Sequence, residues 1–274
     1  MKTYKIGEIA KLLGISAETV RNYEKKGLIH PYKEEETQYR YYDIIQINHL
    51  LNLQKFQKYG YHLNEIKDIM NYKTMEDIEM SLVKREQDLV NEAFLLNLKL
   101  NSIHTTISSI LQAKSAKEGC ILGERPALYR LQYQKNLELL QDERIQKEMV
   151  KWLRYADLPF MSASISKESL ENLQEEFNFG FCLNQRTAEF LGIQQNDVVE
   201  FYDRCPAIIL YYEANEKTDI VKVLKRLQDF VKEQNLRIVG DSVSKVIFAR
   251  WINETEYMIS HLVWIPYEHK DNKK

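Results

Sequence analysis

Glycine and proline are scarce in this sequence, 9 and 5 among 274 residues. So few chain breakers favour long uninterrupted elements, above all helices, and exclude a collagen-like chain. Cysteine is scarcer still. Cys120, Cys182 and Cys205 lie far apart, with no CxxC and no Cys/His cluster. That argues against a disulfide framework or a zinc site, and no cofactor is expected. The six histidines (His30, His49, His62, His104, His261 and His269) are scattered, and no nucleophile elbow, phosphate loop or HExxH motif occurs. Catalysis therefore has little support. No apolar run reaches membrane-spanning length and no signal-peptide core opens the chain, so the expected compartment is the cytoplasm, with no membrane partner. Excess charge is lacking too: the formal net charge is −2, which excludes a basic coat over the whole chain. Residues 1–72 nevertheless hold 11 Lys and Arg against 9 Asp and Glu, a local bias in the direction a DNA contact needs.

What is present is a folded composition, 44% hydrophobic and 28% charged, long enough for more than one core. Three regions differ in pattern. Residues 1–72 read as short helices and tight turns. Ile6, Ile9, Ala10 and Leu13 recur at helical spacing and stop at Gly14; Ser16 stands at an N-cap; a second helix runs to Lys25, Lys26 and Gly27. This is a helix-turn-helix spacing. Two β-prone runs around Lys33–Gln38 then suggest a hairpin, or wing, followed by helices from Asp43 to Lys58 and from Leu63 to Met70.

Residues 73–116 carry a heptad seam. Leu82, Leu89, Leu96, Ile103 and Ile110 recur every seven residues, with Ala93, Leu100 and Ile107 offset by four. Such a seam predicts a long dimerising helix, hence a homodimer. The alternative is a helix packed on its own domain. Residues 120–268 switch to strands alternating with helices, in two similar strand–helix–strand–strand halves. The first half has a helix near 137–155; the second has a strand Ala207–Glu213, a helix Asp219–Asn235 and strands Val243–Trp251 and Glu256–Ile265. The third region is thus expected to be a duplicated α+β domain enclosing a cleft.

The first region carries a specific resemblance. Tyr4-Lys5-Ile6-Gly7-Glu8-Ile9-Ala10, Gly14-Ile15-Ser16, Thr19-Val20-Arg21-Asn22-Tyr23-Glu24, Gly27-Leu28-Ile29 and Tyr39-Arg40-Tyr41-Tyr42 stand in register with one pattern. It resembles the DNA-binding domain of the MerR family of transcription regulators, and the long helix is similar to that family's antiparallel dimerisation helix. The resemblance implies a dimer on a pseudo-palindromic promoter, whose distortion realigns RNA polymerase contacts. Ser16, Ala17, Thr19 and Arg21 lie on the exposed start of the second helix, where short polar and basic groups suit base edges and phosphates. Asn22 and Tyr23 follow, Asn22 in place of a usual tyrosine. Tyr39, Arg40 and Tyr42 resemble wing contacts, with Gln38 where a glycine is usual. Lys5, Lys25, Lys26 and Lys58 are candidate phosphate partners.

The third region resembles, more loosely, the effector-binding domain of multidrug-sensing MerR members and the GyrI-like fold. Such sensors line a cleft with aromatics and place a glutamate in the strand after the Arg237-Ile238-Val239-Gly240-Asp241 turn; here that residue is Ser244, with Lys245 next and on the opposite face. Tyr211, Phe248, Trp251, Tyr257 and Trp264 are candidate ligand aromatics and Glu213 a candidate anchor. The implied effector is a small aromatic molecule. Two other readings stay open: a constitutive DNA-binding repressor or architectural protein with no effector, and a GyrI-like hydrolase using Glu213 or His261.

Overall fold

The structure, a computed structural model, describes residues 2–36, 39–117, 119–136, 138–174, 176–215 and 217–270. It comprises two compact units, Met1–Ala93 and Phe94–Lys274. The boundary falls inside the long helix, where the sequence pattern divides the chain in three.

In the first unit, strand β1 (Tyr4–Lys5) leads into helix α1 (Ile6–Leu13). The helix ends because Gly14 turns left-handed, φ 65°, a conformation that costs glycine nothing. Ser16 caps α2 (Ala17–Lys25) by accepting the Thr19 N–H at 3.0 Å. Strands β2 (Tyr32–Lys33) and β3 (Arg40–Tyr42) form the wing, with β3 between β1 and β2 and every pair antiparallel. Gln38 at its tip lies outside the described residues. Helices α3 (Ile44–Lys58), capped by Asp43, and α4 (Leu63–Tyr72) complete the unit. Its core gathers Ile9, Val20, Tyr23, Tyr42, Leu50 and Ile66.

Helix α5 (Met75–Ser115) is 41 residues long, about 60 Å at 1.5 Å per residue. Thr74 and Asp77 cap it reciprocally: the Asp77 N–H donates to Thr74 Oγ1 at 3.2 Å and the Thr74 N–H to Asp77 Oδ2 at 3.1 Å. Within the second unit α5 buries Leu98 among Leu131, Ile145 and Trp152, and stacks Phe94 on Phe190 with ring centres 4.2 Å apart. The heptad residues point elsewhere. Leu82, Leu89, Ala93, Leu96, Leu100, Ile103, Ile107 and Ile110 are all exposed in the single chain, Leu96 by 60%. Packing on its own unit and an open seam therefore coexist on different faces of one helix.

The second unit continues with β4 (Cys120–Arg125), β5 (Leu128–Lys135), β6 (Glu138–Leu139), α6 (Glu143–Leu153), β7 (Phe160–Ser164), α7 (Lys167–Asn172), β8 (Asn178–Asn184), α8 (Gln185–Phe190), β9 (Val199–Tyr202), β10 (Cys205–Ala214), α9 (Ile220–Glu233), β11 (Leu236–Ile238), β12 (Val243–Trp251) and β13 (Tyr257–His269). The helix expected near 137–155 starts only at Glu143, because Glu138 and Leu139 fold back on β5 as a hairpin; Leu137 lies outside the described residues.

One strand order occurs twice. In one sheet it is β7-β8-β5-β9, in the other β12-β13-β10-β4, all antiparallel. The two halves exchange strands: β4 precedes β5 yet pairs with β10, and β9 precedes β10 yet pairs with β5. At the edges, side-chain hydroxyls join the sheets. The Ala163 N–H donates to Ser244 Oγ at 2.9 Å and the Ile165 N–H to Ser242 Oγ at 3.0 Å. Backbone donors that an open edge would leave unpaired are satisfied this way.

Candidate nucleic-acid interface and ligand cavities

Helix α2 buries Val20 and Tyr23 and turns its other side outward. Ala17, Arg21 and Lys25, spaced four apart, share one face. Ser16, Arg21, Asn22, Lys25 and Lys26 are exposed, and Ala17 and Thr19 half-buried. Arg21 Nη1 pairs with Glu18 at 3.1 Å, but both side chains are solvated, so the guanidinium is held weakly. The wing is tied to this helix through Glu24, which takes Arg40 Nε at 2.6 Å and Lys33 Nζ at 3.3 Å. Burial opposes ionisation of Glu24, but hydrogen bonds from Arg40 and Lys33 outweigh it and hold the carboxyl below its ordinary value. Lys5 Nζ lies 5.9 Å from the centre of the exposed Tyr39 ring, and Lys58 is exposed on the last turn of α3.

Two aromatic expectations are corrected. Tyr42 is fully buried, and its hydroxyl has no hydrogen-bond partner among the described residues. Burial pushes its phenol up to about 12. Tyr23 is buried too and donates its hydroxyl to Gln57 Oε1 at 2.7 Å. Both rings support α2 from behind instead of facing outward. The surviving surface, from Lys5 and Tyr39 across Arg40 to Arg21, is basic and polar, a composition suited to phosphates and base edges.

The expected single ligand cleft divides into three places, because strand side chains alternate faces. Trp251 and Tyr257, ring centres 5.0 Å apart, line a cavity of about 530 Å3 together with Phe177, Phe179, Tyr212 and His261. Tyr211, Glu213 and Phe248 line a second, also about 530 Å3, beside Arg226 and Arg250. There Glu213 accepts the Tyr211 hydroxyl at 2.8 Å and lies 3.8 Å from Arg250, so it is already engaged. Trp264 lines a third cavity of about 910 Å3, closed on one side by α5. A bulge between Val246 and Phe248 resets the alternation of β12 and separates these sets further.

Ser244 lines none of the three. It is buried in the joint between the sheets and lies 3.2 Å from His261 Nδ1. His261 stacks on Tyr212 with ring centres 5.0 Å apart, and burial lowers its pKa to about 4, so the imidazole is neutral at pH 7. Phe177, Phe179 and Tyr212 were not among the sequence candidates; the signal for the two phenylalanines was their alternation in sequence at the start of β8. The larger omission is Lys245. It does face away from Ser244, yet that side is covered: Nζ donates to Thr106 Oγ1 at 3.0 Å and sits 5.2 Å from the centre of the Phe160 ring.

Burial raises the Cys120 and Cys182 thiols to about 11, which leaves both as unreactive thiols. Among the described residues no group of three or more His, Cys, Asp or Glu is placed to hold a metal, and no helix is long and apolar enough to cross a membrane.

Residues 4–73 match the family model described as MerR HTH family regulatory protein. The mercuric resistance operon regulatory protein of Bacillus cereus is 36% identical over 67 residues, 24% of this chain and 51% of that protein. The multidrug-efflux transporter 1 regulator of Bacillus subtilis is 30% identical over 123 residues, 44% of this chain and 42% of that protein. The chain spans about half the length of the curated relatives it matches. Among solved structures, the N-terminus of MtaN, the Bacillus subtilis multidrug transporter activator, is 22% identical, covers 38% of this chain and 97% of that one, and has a TM-score of 0.35, too low to bear on function. The N-terminal region therefore belongs to the MerR helix-turn-helix family, and the curated relatives are regulators of transcription rather than enzymes.

Proposed function

We propose that this chain, whose N-terminal region is of the MerR helix-turn-helix family, is a transcription regulator that binds promoter DNA as a homodimer and answers to a small molecule in its second unit. The observation that carries the reading is the outward face of α2. Ser16 caps the helix through Thr19, buried Val20 and Tyr23 fix its rotation, and Arg21 and Asn22 are turned outward toward a groove, with Ser16 and Thr19 at its start. Lys5, Lys25, Lys26, Tyr39, Arg40 and Lys58 supply phosphate contacts around it.

The exposed heptad seam of α5 supports the homodimer. An apolar stripe running from Leu82 to Ile110 needs a cover, and a second copy in antiparallel register supplies one. Two linked reading heads then meet two half-sites, and bending or untwisting the DNA between them costs a few kcal/mol that dimer contacts can return. Through that distortion the regulator acts on RNA polymerase at the shared promoter. The GyrI-like reading of the second unit is supported by its repeated strand order, and the aromatic cavity at Trp251, Tyr257, Phe177 and Tyr212 suits an aromatic effector.

Fluorescence anisotropy of the full chain on duplexes tiling the DNA beside its own gene tests the proposal. One inverted repeat should bind far more tightly than the rest, and a competitor duplex of the same base composition but scrambled sequence should not displace it at matched concentration. Equal affinity for every duplex would reduce the protein to an architectural binder.

A further inference from the structure

Lys245 poses a problem that the DNA-binding reading leaves unsolved. It is 5% exposed and lines the cavity of about 910 Å3 beside α5. Its ammonium touches the Thr106 hydroxyl and the Phe160 ring, and no salt bridge reaches it among the described residues. A buried ammonium without a carboxylate is costly to hold. The neighbouring tryptophan repeats the pattern. Trp264 shares Lys245's face of the sheet, since Lys245 stands opposite Leu262 and Trp264 follows two residues on. Its indole Nε1 is buried with no hydrogen-bond partner among the described residues. The indole thus lacks an acceptor, and the ammonium has only a neutral hydroxyl for one, with no counter-charge.

The rest of the cavity fits one kind of occupant. Phe160 and Leu128 give it apolar surface, and Thr105, Ser108 and Gln112 of α5 give it hydroxyls and an amide. Its volume of about 910 Å3 lies within the usual range for small-molecule sites. The cations and carboxylates along its wall leave a positive balance, with Lys245, Arg186 and Arg204 against Glu124 and Glu189. Glu124 is already paired with Arg204, and Glu189 accepts from Gln185 Nε2 at 2.8 Å.

We propose that this cavity, bounded by α5 and both sheets, binds an aromatic carboxylate, whose acid group is received by Lys245 beside Trp264 and whose ring lies against Phe160 and Leu128. It is a different site from the Trp251–Tyr257 cavity and carries the opposite charge preference to a site with a buried carboxylate. Because Thr105, Thr106, Ser108 and Gln112 belong to α5, the occupant touches the same helix that presents the apolar seam. Burial lowers the Lys245 pKa to about 8, which still leaves most of the ammonium charged at pH 7.

The inference rests on the reading of the second unit as an effector module, and the two can fail separately. Calorimetric titration of the full chain, without DNA, would compare 2-naphthoate with its neutral amide, 2-naphthamide. The carboxylate should bind saturably, one per chain, at least tenfold more tightly than the amide. Lys245→Met should reduce that preference to within about twofold, while Lys245→Arg keeps much of it. Equal affinity for acid and amide in the unaltered chain overturns the site, whatever the variants do. So does a folded Lys245→Met that retains the preference, or the absence of saturable 2-naphthoate binding. Naphthoate binding that leaves promoter affinity unchanged would instead remove the effector reading and leave the site standing.

Discussion

The two units treat charge in opposite ways. Among the described residues of Met1–Ala93 no charged side chain is buried, whereas Phe94–Lys274 encloses Arg125, Arg130 and Lys245. A surface that meets a polyanion keeps its cations hydrated until contact, and holding them there costs the empty protein little. An enclosed charge must be satisfied from within. Arg125 Nη2 finds the Asp203 carbonyl at 3.0 Å and Arg130 Nη2 the Asn178 carbonyl at 2.6 Å. Lys245 has only a hydroxyl and a ring. The difference separates a unit built for contact with a large partner from one built around interior polar chemistry, and each half of it can be attacked.

The largest effect is expected at the helix that runs through both units. Leu96→Asp with Leu100→Asp alters residues that are exposed in the single chain, so the fold should survive. In a covered seam the two carboxylates would cost on the order of 3–5 kcal/mol. Sedimentation should show monomer, and promoter affinity should fall about a hundredfold or more as the half-sites lose their linkage. A double variant that stays dimeric would put the interface elsewhere.

The buried imidazole of the second unit comes next. His261 is packed between Ser244 and Tyr212 and has a folded-state pKa of about 4 against an ordinary 6.5. Above pH 6.5 it is neutral in both folded and unfolded chains, and its contribution is fully present. Between pH 6.5 and 4 the unfolded chain takes up the proton first, so stability falls, by about 3 kcal/mol in all. Urea melts across that window should show the second unit losing stability, and His261→Gln should flatten the dependence. A slope unchanged in the variant would assign the acid sensitivity to other groups.

Arg21 should give a smaller and more selective effect. Arg21→Ala removes a solvated side chain, so the melting temperature should barely move. Promoter affinity should drop by about 1–3 kcal/mol with relaxed sequence preference if the guanidinium reads a base. If it grips only phosphate, every duplex should weaken alike and the salt slope should flatten by about one. Unchanged affinity in the folded variant would remove α2 from the interface.

These cases also mark where sequence was informative. Gly14, Ser16 and the heptad leucines act within a few residues of themselves, through a left-handed turn, a cap and a seven-residue period, and so could be read directly. The faces of β10 and β12 could not. Alternation says that Ser244 and Lys245 point apart, but what covers each side is decided by distant chain. Ser244 meets the backbone of Ala163, and Lys245 meets Thr106, 139 residues away. The bulge at Val246–Phe248 breaks the alternation without any glycine to announce it. Tyr42 shows the same limit in the first unit: its neighbours in sequence are wing residues, while its ring belongs to the core.

That last placement gives the smallest and most discriminating expectation. The Tyr42 hydroxyl is enclosed without a partner among the described residues, so it loses its hydration on folding with no hydrogen bond among them to offset that loss. Tyr42→Phe deletes the hydroxyl and keeps the ring that packs behind α2. Stability should therefore hold or rise by up to about 1 kcal/mol. Promoter affinity should not change, because a fully buried ring has no access to DNA. Thermal melts and anisotropy titrations on the same preparation separate the two roles. A tenfold loss of affinity with the fold intact would mean that the wing opens on binding and presents Tyr42 after all.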